Sequence, residues 1–83
     1  MGWVKGRHLW MRSGREAGGV VFVVRKKLGN AVLRNKLKRS LRSIYRQLER
    51  APRGSLVVLA QPDATEIPYA ELQSEFEEIA SEL

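Results

Sequence analysis

The chain has 83 residues, 43% of them apolar and 29% charged, a balance that suits one small globular domain and argues against wholesale disorder. No cysteine is present, which excludes a disulfide framework and a thiolate metal site; no apolar run reaches the length of a signal peptide or a membrane span, so the expected location is a reducing cytoplasm. The net charge of +6 is segregated: all 15 Lys and Arg lie at or before Arg53, opposed there only by Glu16 and Glu49 (+13), whereas seven acids and no base follow (−7). A field divided in this way suits a polyanionic partner.

In chain order, His8-Leu-Trp-Met-Arg12 reads as a short strand. Ser13–Gly19 is a turn cluster rich in glycine, and Val20-Val-Phe-Val-Val24 is a β-branched and aromatic run of strand length, so the two strands with their loop read as a hairpin. Gly29-Asn30 breaks the pattern. A helix is expected from Asn30 or Ala31 to about Arg50, because Leu33, Leu37, Leu41, Ile44, Tyr45 and Leu48 fall on one arc of a wheel of about 3.6 residues per turn. Lys36, Lys38, Arg39, Arg42, Arg46 and Arg50 occupy most of the remaining circumference with Asn35, and Arg34 lies at the edge of the apolar arc. Pro52 and Gly54 are the expected helix stop. Ser55–Ala60 reads as a buried strand and Gln61–Pro68 as a loop. Tyr69, Leu72, Phe76, Ile79, Ala80 and Leu83 recur at helical spacing, giving a closing amphipathic helix with an acidic outer face. The order β-β-α-β-α over residues 1–83 predicts an α+β two-layer sandwich forming one domain.

Protein-borne catalysis finds little support. One histidine, His8, and one aspartate, Asp63, lack the flanking signatures of a triad, so no catalytic residue is assigned. Glu71, Glu75, Glu78 and Glu82 share a helix face, which reads as a solvated surface, and no metal ligand is assigned. The basic helix is the informative object. Anchored by its apolar stripe, it holds cations at fixed spacing; Arg can grip phosphate bidentately and Lys acts as a point charge. Asn35 adds an amide able to meet phosphate, a 2′-hydroxyl or a base edge. Lys26, Lys27 and Gly29 precede the helix start. These features point to a nucleic-acid binder.

The stretch Lys26-Lys-Leu-Gly-Asn-Ala-Val-Leu-Arg-Asn-Lys-Leu-Lys-Arg39, continued by Ser-Leu-Arg-Ser-Ile-Tyr-Arg46, resembles the signature of the bacterial ribonuclease P protein family. Lys26, Lys27, Gly29, Ala31, Val32, Arg34, Asn35, Lys38, Arg39, Arg42 and Arg46 match its pattern, and Gly54, Ala60-Gln61-Pro62 and Tyr69-Ala-Glu-Leu72 are similar to later family positions. Lys36 stands in place of an arginine, Ser43 of an acid, Gln61 of an arginine, and Val23 and Arg25 of serines. The family's N-terminal helix, and its first strand too, have no counterpart legible in the sequence.

The resemblance implies that Val20–Val24 and Ser55–Ala60 are parallel strands joined by a left-handed, split βαβ crossover, an exception to the usual right-handed rule. It also implies a protein subunit that serves an endoribonuclease, with catalysis and Mg2+ residing in the RNA subunit. The expected partners are that RNA and precursor tRNA, with neither a membrane nor a small-molecule substrate. Lys26, Lys27, Arg34, Asn35, Lys36, Lys38, Arg39, Arg42 and Arg46 are then the RNA-binding set. The 5′ leader of the precursor is assigned to the sheet face carrying Val23 and Arg25, completed by Trp10 or Met11, and Arg12, of the neighbouring strand, with Phe22 in the core. Trp10 reads equally well as a core residue. A structural ribosomal or assembly RNA-binding protein without a leader cleft is the alternative. A peripheral membrane binder is disfavoured because the apolar stripe carries no Trp or Phe anchor, and an autonomous nuclease because no catalytic set is legible.

Overall fold

The structure is a computed structural model that describes residues 2–14, 19–48 and 55–83. Four strands form one sheet: β1 (Val4–Lys5), β2 (Leu9–Ser13), β3 (Val20–Val23) and β4 (Leu56–Ala60), in the spatial order β1-β2-β4-β3. The helices are α1 (Ala31–Arg46) and α2 (Tyr69–Ser81), and 3₁₀ turns at Lys26–Leu28 and Pro62–Glu66 lead into them. The α+β sandwich is as expected, with three corrections of connectivity.

First, β2 and β3 are not a hairpin. β4 lies between them, antiparallel to β2 (Trp10 opposite Leu59, Met11 opposite Val58) and parallel to β3 (Phe22 opposite Val58, Val23 opposite Leu59). The alternately buried Leu56, Val58 and Ala60 make β4 the natural centre of the sheet, where both edges of the strand are paired. Second, β3 and β4 are parallel, as the resemblance implies, but they are immediate neighbours, so no strand splits the crossover through α1. Third, a two-residue strand, β1, precedes β2, with Val4 opposite Met11 and Lys5 opposite Trp10. Among the described residues no helix precedes it.

Strand alternation puts Leu9, Met11, Leu56, Val58 and Ala60 on one face, where they are fully or almost fully buried against Leu37, Leu41 and Ile44 of α1 and Leu72, Phe76 and Ile79 of α2. Val20 and Phe22 pack on the margin of the same core, and Val24 is buried. Both helices therefore cover one face of the sheet, and the other carries Trp10, Arg12, Val21, Val23, Val57 and Leu59.

α1 starts where the sequence suggests. The Asn30 side chain accepts the Leu33 amide at 2.9 Å, which satisfies one of the unpaired donors of the first turn. The helix closes at Arg46, short of the expected Arg50; its last turn tightens through bonds from Gln47 N to Ile44 O (3.1 Å) and Leu48 N to Tyr45 O (3.3 Å). The expected stop at Pro52 and Gly54, and the centre of the Ser13–Gly19 loop, lie outside the described residues. Gly29 adopts φ 144°, a backbone region close to glycine-only, and so sets the angle at which the Lys26–Leu28 turn enters α1.

Candidate RNA interface

Nearly all of the candidate RNA-binding side chains lie on the part of α1 that the core leaves uncovered. Asn35, Lys36, Arg39, Arg42 and Arg46 are exposed and Lys38 is half-buried. Lys26 and Lys27 are exposed on the preceding turn, which Leu28 anchors in the core. The two flanks of α1 differ. On one, Ser43 and Gln47 meet α2: the Ser43 hydroxyl lies 2.9 Å from the Tyr69 hydroxyl, and the Gln47 amide donates to Tyr69 at 3.1 Å. On the other, Arg34, Lys38 and Arg42 follow one another at four-residue spacing toward β3, where the Arg42 guanidinium stands 5.9 Å from the centroid of Phe22. That contact links the basic helix to the edge strand of the sheet.

Arg34 has a structural task as well. Its Nε donates to the Gly29 carbonyl at 3.2 Å, which braces the turn–helix junction and leaves the rest of the guanidinium fork facing outward. Leu33 departs from the expectation: placed on the apolar stripe by the helical wheel, it is 42% exposed, because the first turn of α1 overhangs the core.

The candidate leader-contacting residues also come together. Trp10 is half-buried on the face away from the helices and is not part of the core, whereas Met11, the alternative for this surface, is fully buried against the helices because alternation turns it inward; Arg12 is exposed two residues beyond Trp10. Val23 is half-buried and Arg25 exposed beyond the end of β3. Register builds two rows across this face: Lys5, Trp10, Leu59 and Val23 in one, Arg12, Val57 and Val21 in the other. Phe22 points to the core side, as expected.

Sequence reasoning missed the contribution of β1. The Lys5 Nζ lies 4.7 Å from the Trp10 ring centroid, and the Arg12 guanidinium 5.0 Å from that of Trp3. Two indoles, each paired with a cation, therefore stand on or beside the open face, a combination suited to unpaired bases and their phosphates. The alternation Trp3-Val4-Lys5 was the available signal, but three residues carry too little periodicity to be recognised alone.

His8 and Asp63 do approach, with Nδ1 and Oδ2 2.9 Å apart. Among the described residues no serine or threonine hydroxyl is hydrogen-bonded to the ring, and Nδ1 itself makes no hydrogen bond of good geometry. Glu75 corrects the reading of a merely solvated acidic face: its Oε2 accepts the backbone amides of His8 (2.7 Å) and Leu9 (2.6 Å). Among the described residues no group of three or more His, Asp or Glu is placed to hold a metal ion.

The model of the family described as Ribonuclease P matches residues 5–83. The chain belongs to the ribonuclease P protein family. A relative described as ribonuclease P protein component, from Thermus scotoductus, is 53% identical over 53 residues, covering 64% of this chain and 32% of that protein. The chain spans about a third of the length of the Thermus relatives it matches. Among solved structures, the Staphylococcus aureus RNase P protein matches with a TM-score of 0.78 at 26% identity, over 96% of this chain and 78% of that one. The Thermotoga maritima RNase P protein matches with a TM-score of 0.83 over 99% of this chain and 83% of that one; at 22% identity, it supports the fold alone. The α+β architecture is thus that of the family's solved members.

Proposed function

We propose that this chain acts as the protein subunit of ribonuclease P, binding the catalytic RNA through the exposed face of α1 and holding the single-stranded 5′ leader of precursor tRNA on the open face of the sheet. The observation that carries this reading is the immobilised cation array. Leu37, Leu41 and Ile44 fix the inner face of α1 in the core, so Lys36, Lys38, Arg39, Arg42 and Arg46 meet an RNA backbone with little further ordering of the chain. Phosphate neutralisation by these groups releases counterions, which makes binding steeply salt-dependent. The sheet face contributes apolar and aromatic surface with Arg12, Arg25 and Lys5 beside it, the chemistry that binds unpaired nucleotides. Bond cleavage and the Mg2+ that supports it are assigned to the RNA, and the compartment is the cytoplasm, where tRNA precursors are made.

The experiment is precursor tRNA cleavage at low Mg2+ by a bacterial ribonuclease P RNA, with and without the protein. The protein should raise cleavage by an order of magnitude or more through binding of RNA and leader. Tight, salt-sensitive RNA binding with no effect on cleavage would instead favour the structural RNA-binding protein without a leader site.

A further inference from the structure

The first turn of α1 exposes two aliphatic side chains in the middle of the basic field. Val32 is 75% exposed and Leu33 42%, although the core lies one turn away. On the helical wheel Lys36 falls between them, with Arg39 beside Val32 and Ser40 beside Leu33. Leu33 also borders a groove of about 370 Å³ between α1 and the segment from Ala64 to Tyr69, a volume at the small end of those that hold organic ligands. Its far wall is Ile67, Pro68 and the ring of Tyr69. That ring is held in place, because its hydroxyl lies 2.9 Å from Ser43 and accepts from Gln47 at 3.1 Å, yet Tyr69 remains 38% exposed. Ser40, Thr65 and Glu66 supply polar groups along the rim, with Lys36 at the same mouth.

An apolar step of this kind, with Lys36 and Arg39 on its α1 side and Glu66 on the opposite rim, is poorly suited to a protein partner and well suited to a nucleobase, whose flat faces are apolar, whose edge hydrogen-bonds and whose phosphate seeks Lys36 or Arg39. A base within an A-form duplex cannot reach it, because its faces are stacked and its major-groove edge is recessed. We propose that Val32, Leu33 and the groove behind them receive an unstacked nucleobase of the RNA that the basic face binds. The site would make α1 a reader of a looped or bulged position as well as a clamp on phosphates. This inference rests on the RNA-binding reading of α1.

The test uses the full chain with a transcript of a bacterial ribonuclease P RNA. Affinities are measured across a salt series for the wild type, Val32→Ser and Leu33→Ser, with Leu83→Ser as a control exposed to a similar degree far from the groove. Thermal unfolding of each variant verifies the fold. Loss of the base contact should weaken binding about tenfold at every salt concentration while leaving the slope of log K against log salt unchanged, because the phosphates are still neutralised. Methylation by dimethyl sulfate supplies a second readout: a nucleobase protected by the wild-type chain should become reactive again with Leu33→Ser. Steep salt dependence in the wild type, with Val32→Ser and Leu33→Ser binding and protecting as it does, overturns this proposal alone. A flat salt dependence in the wild type overturns the RNA-binding reading and this proposal with it.

Discussion

One oxygen of Glu75 accepts two consecutive backbone amides, those of His8 and Leu9, at the point where the chain enters β2. Leu9 is fully buried, and Gly6, at the start of the same turn, packs so closely against Ile79 and Glu75 that a Cβ there would collide with both. The carboxylate therefore fastens the β1–β2 connection to α2, and with it the strands that place Trp3, Lys5 and Trp10. Glu75→Ala should leave two part-buried donors without a partner, at a cost of about 2 kcal/mol or more. For a domain of this size that corresponds to a fall of about 10 °C in the thermal midpoint. Glu75→Gln, which keeps an oxygen in place, should lose less. Thermal unfolding followed by circular dichroism measures both; equal midpoints for wild type and Glu75→Ala would show that the bond is dispensable.

The open sheet face owes its composition to strand alternation. β2 sends Leu9 and Met11 inward and Trp10 and Arg12 outward, and β4 places Leu59 beside Trp10. If this surface holds the leader, Trp10→Ala and Arg25→Ala should each lower the affinity of the assembled ribonucleoprotein for precursor tRNA, by about tenfold for the indole. Affinity for mature tRNA, which has no leader, should stay unchanged. Equal losses for the two RNAs, or none, would remove the leader from this face. The inward side of Phe22 was legible in the sequence because alternation is local, and so was the start of α1, because helical periodicity signals within a few residues; alternation alone left Trp10 open between core and surface, and the capping role of Asn30 emerges only from the structure. The full strand order was not legible from residue patterns: the resemblance implied the parallel pairing of β3 with β4, which the register bears out, while the local reading made β2 and β3 a hairpin. Whether β3 pairs with β2 or with β4 is decided by a contact formed across more than thirty intervening residues, and the pattern of apolar side chains along β3 is the same in either arrangement. Glu75 was hidden for the same reason, since its partners lie 66 and 67 positions away and a backbone amide leaves no mark in composition.

Charge is divided across the molecule as it is along the chain. α1 turns its cations outward and toward β3, whereas Tyr69 and Gln73 form the seam between α1 and α2. On the far side of α2, Glu71, Glu78 and Glu82 line a groove opposite Lys5, Arg7 and His8 of the β1–β2 connection. Under the proposed function, an RNA approaching along the acidic flank would be repelled and one approaching α1 attracted, so the field would orient encounter before any contact is made. The exposed glutamates would then contribute to discrimination without being ligands. Replacing Glu71, Glu78 and Glu82 together with Gln removes three negative charges and spares Glu75, so the fold should persist. Binding of an unrelated structured RNA should then strengthen several-fold at low salt, and the gain should fade as ionic strength rises and the Debye length contracts below about 10 Å. Precursor cleavage by the assembled particle should stay within about twofold of wild type, because the cation array and the sheet face are untouched. Unchanged binding of the unrelated RNA at low salt would show that the acidic flank does not orient the encounter. A collapse of cleavage with the fold intact would mean that these carboxylates take part in the reaction after all.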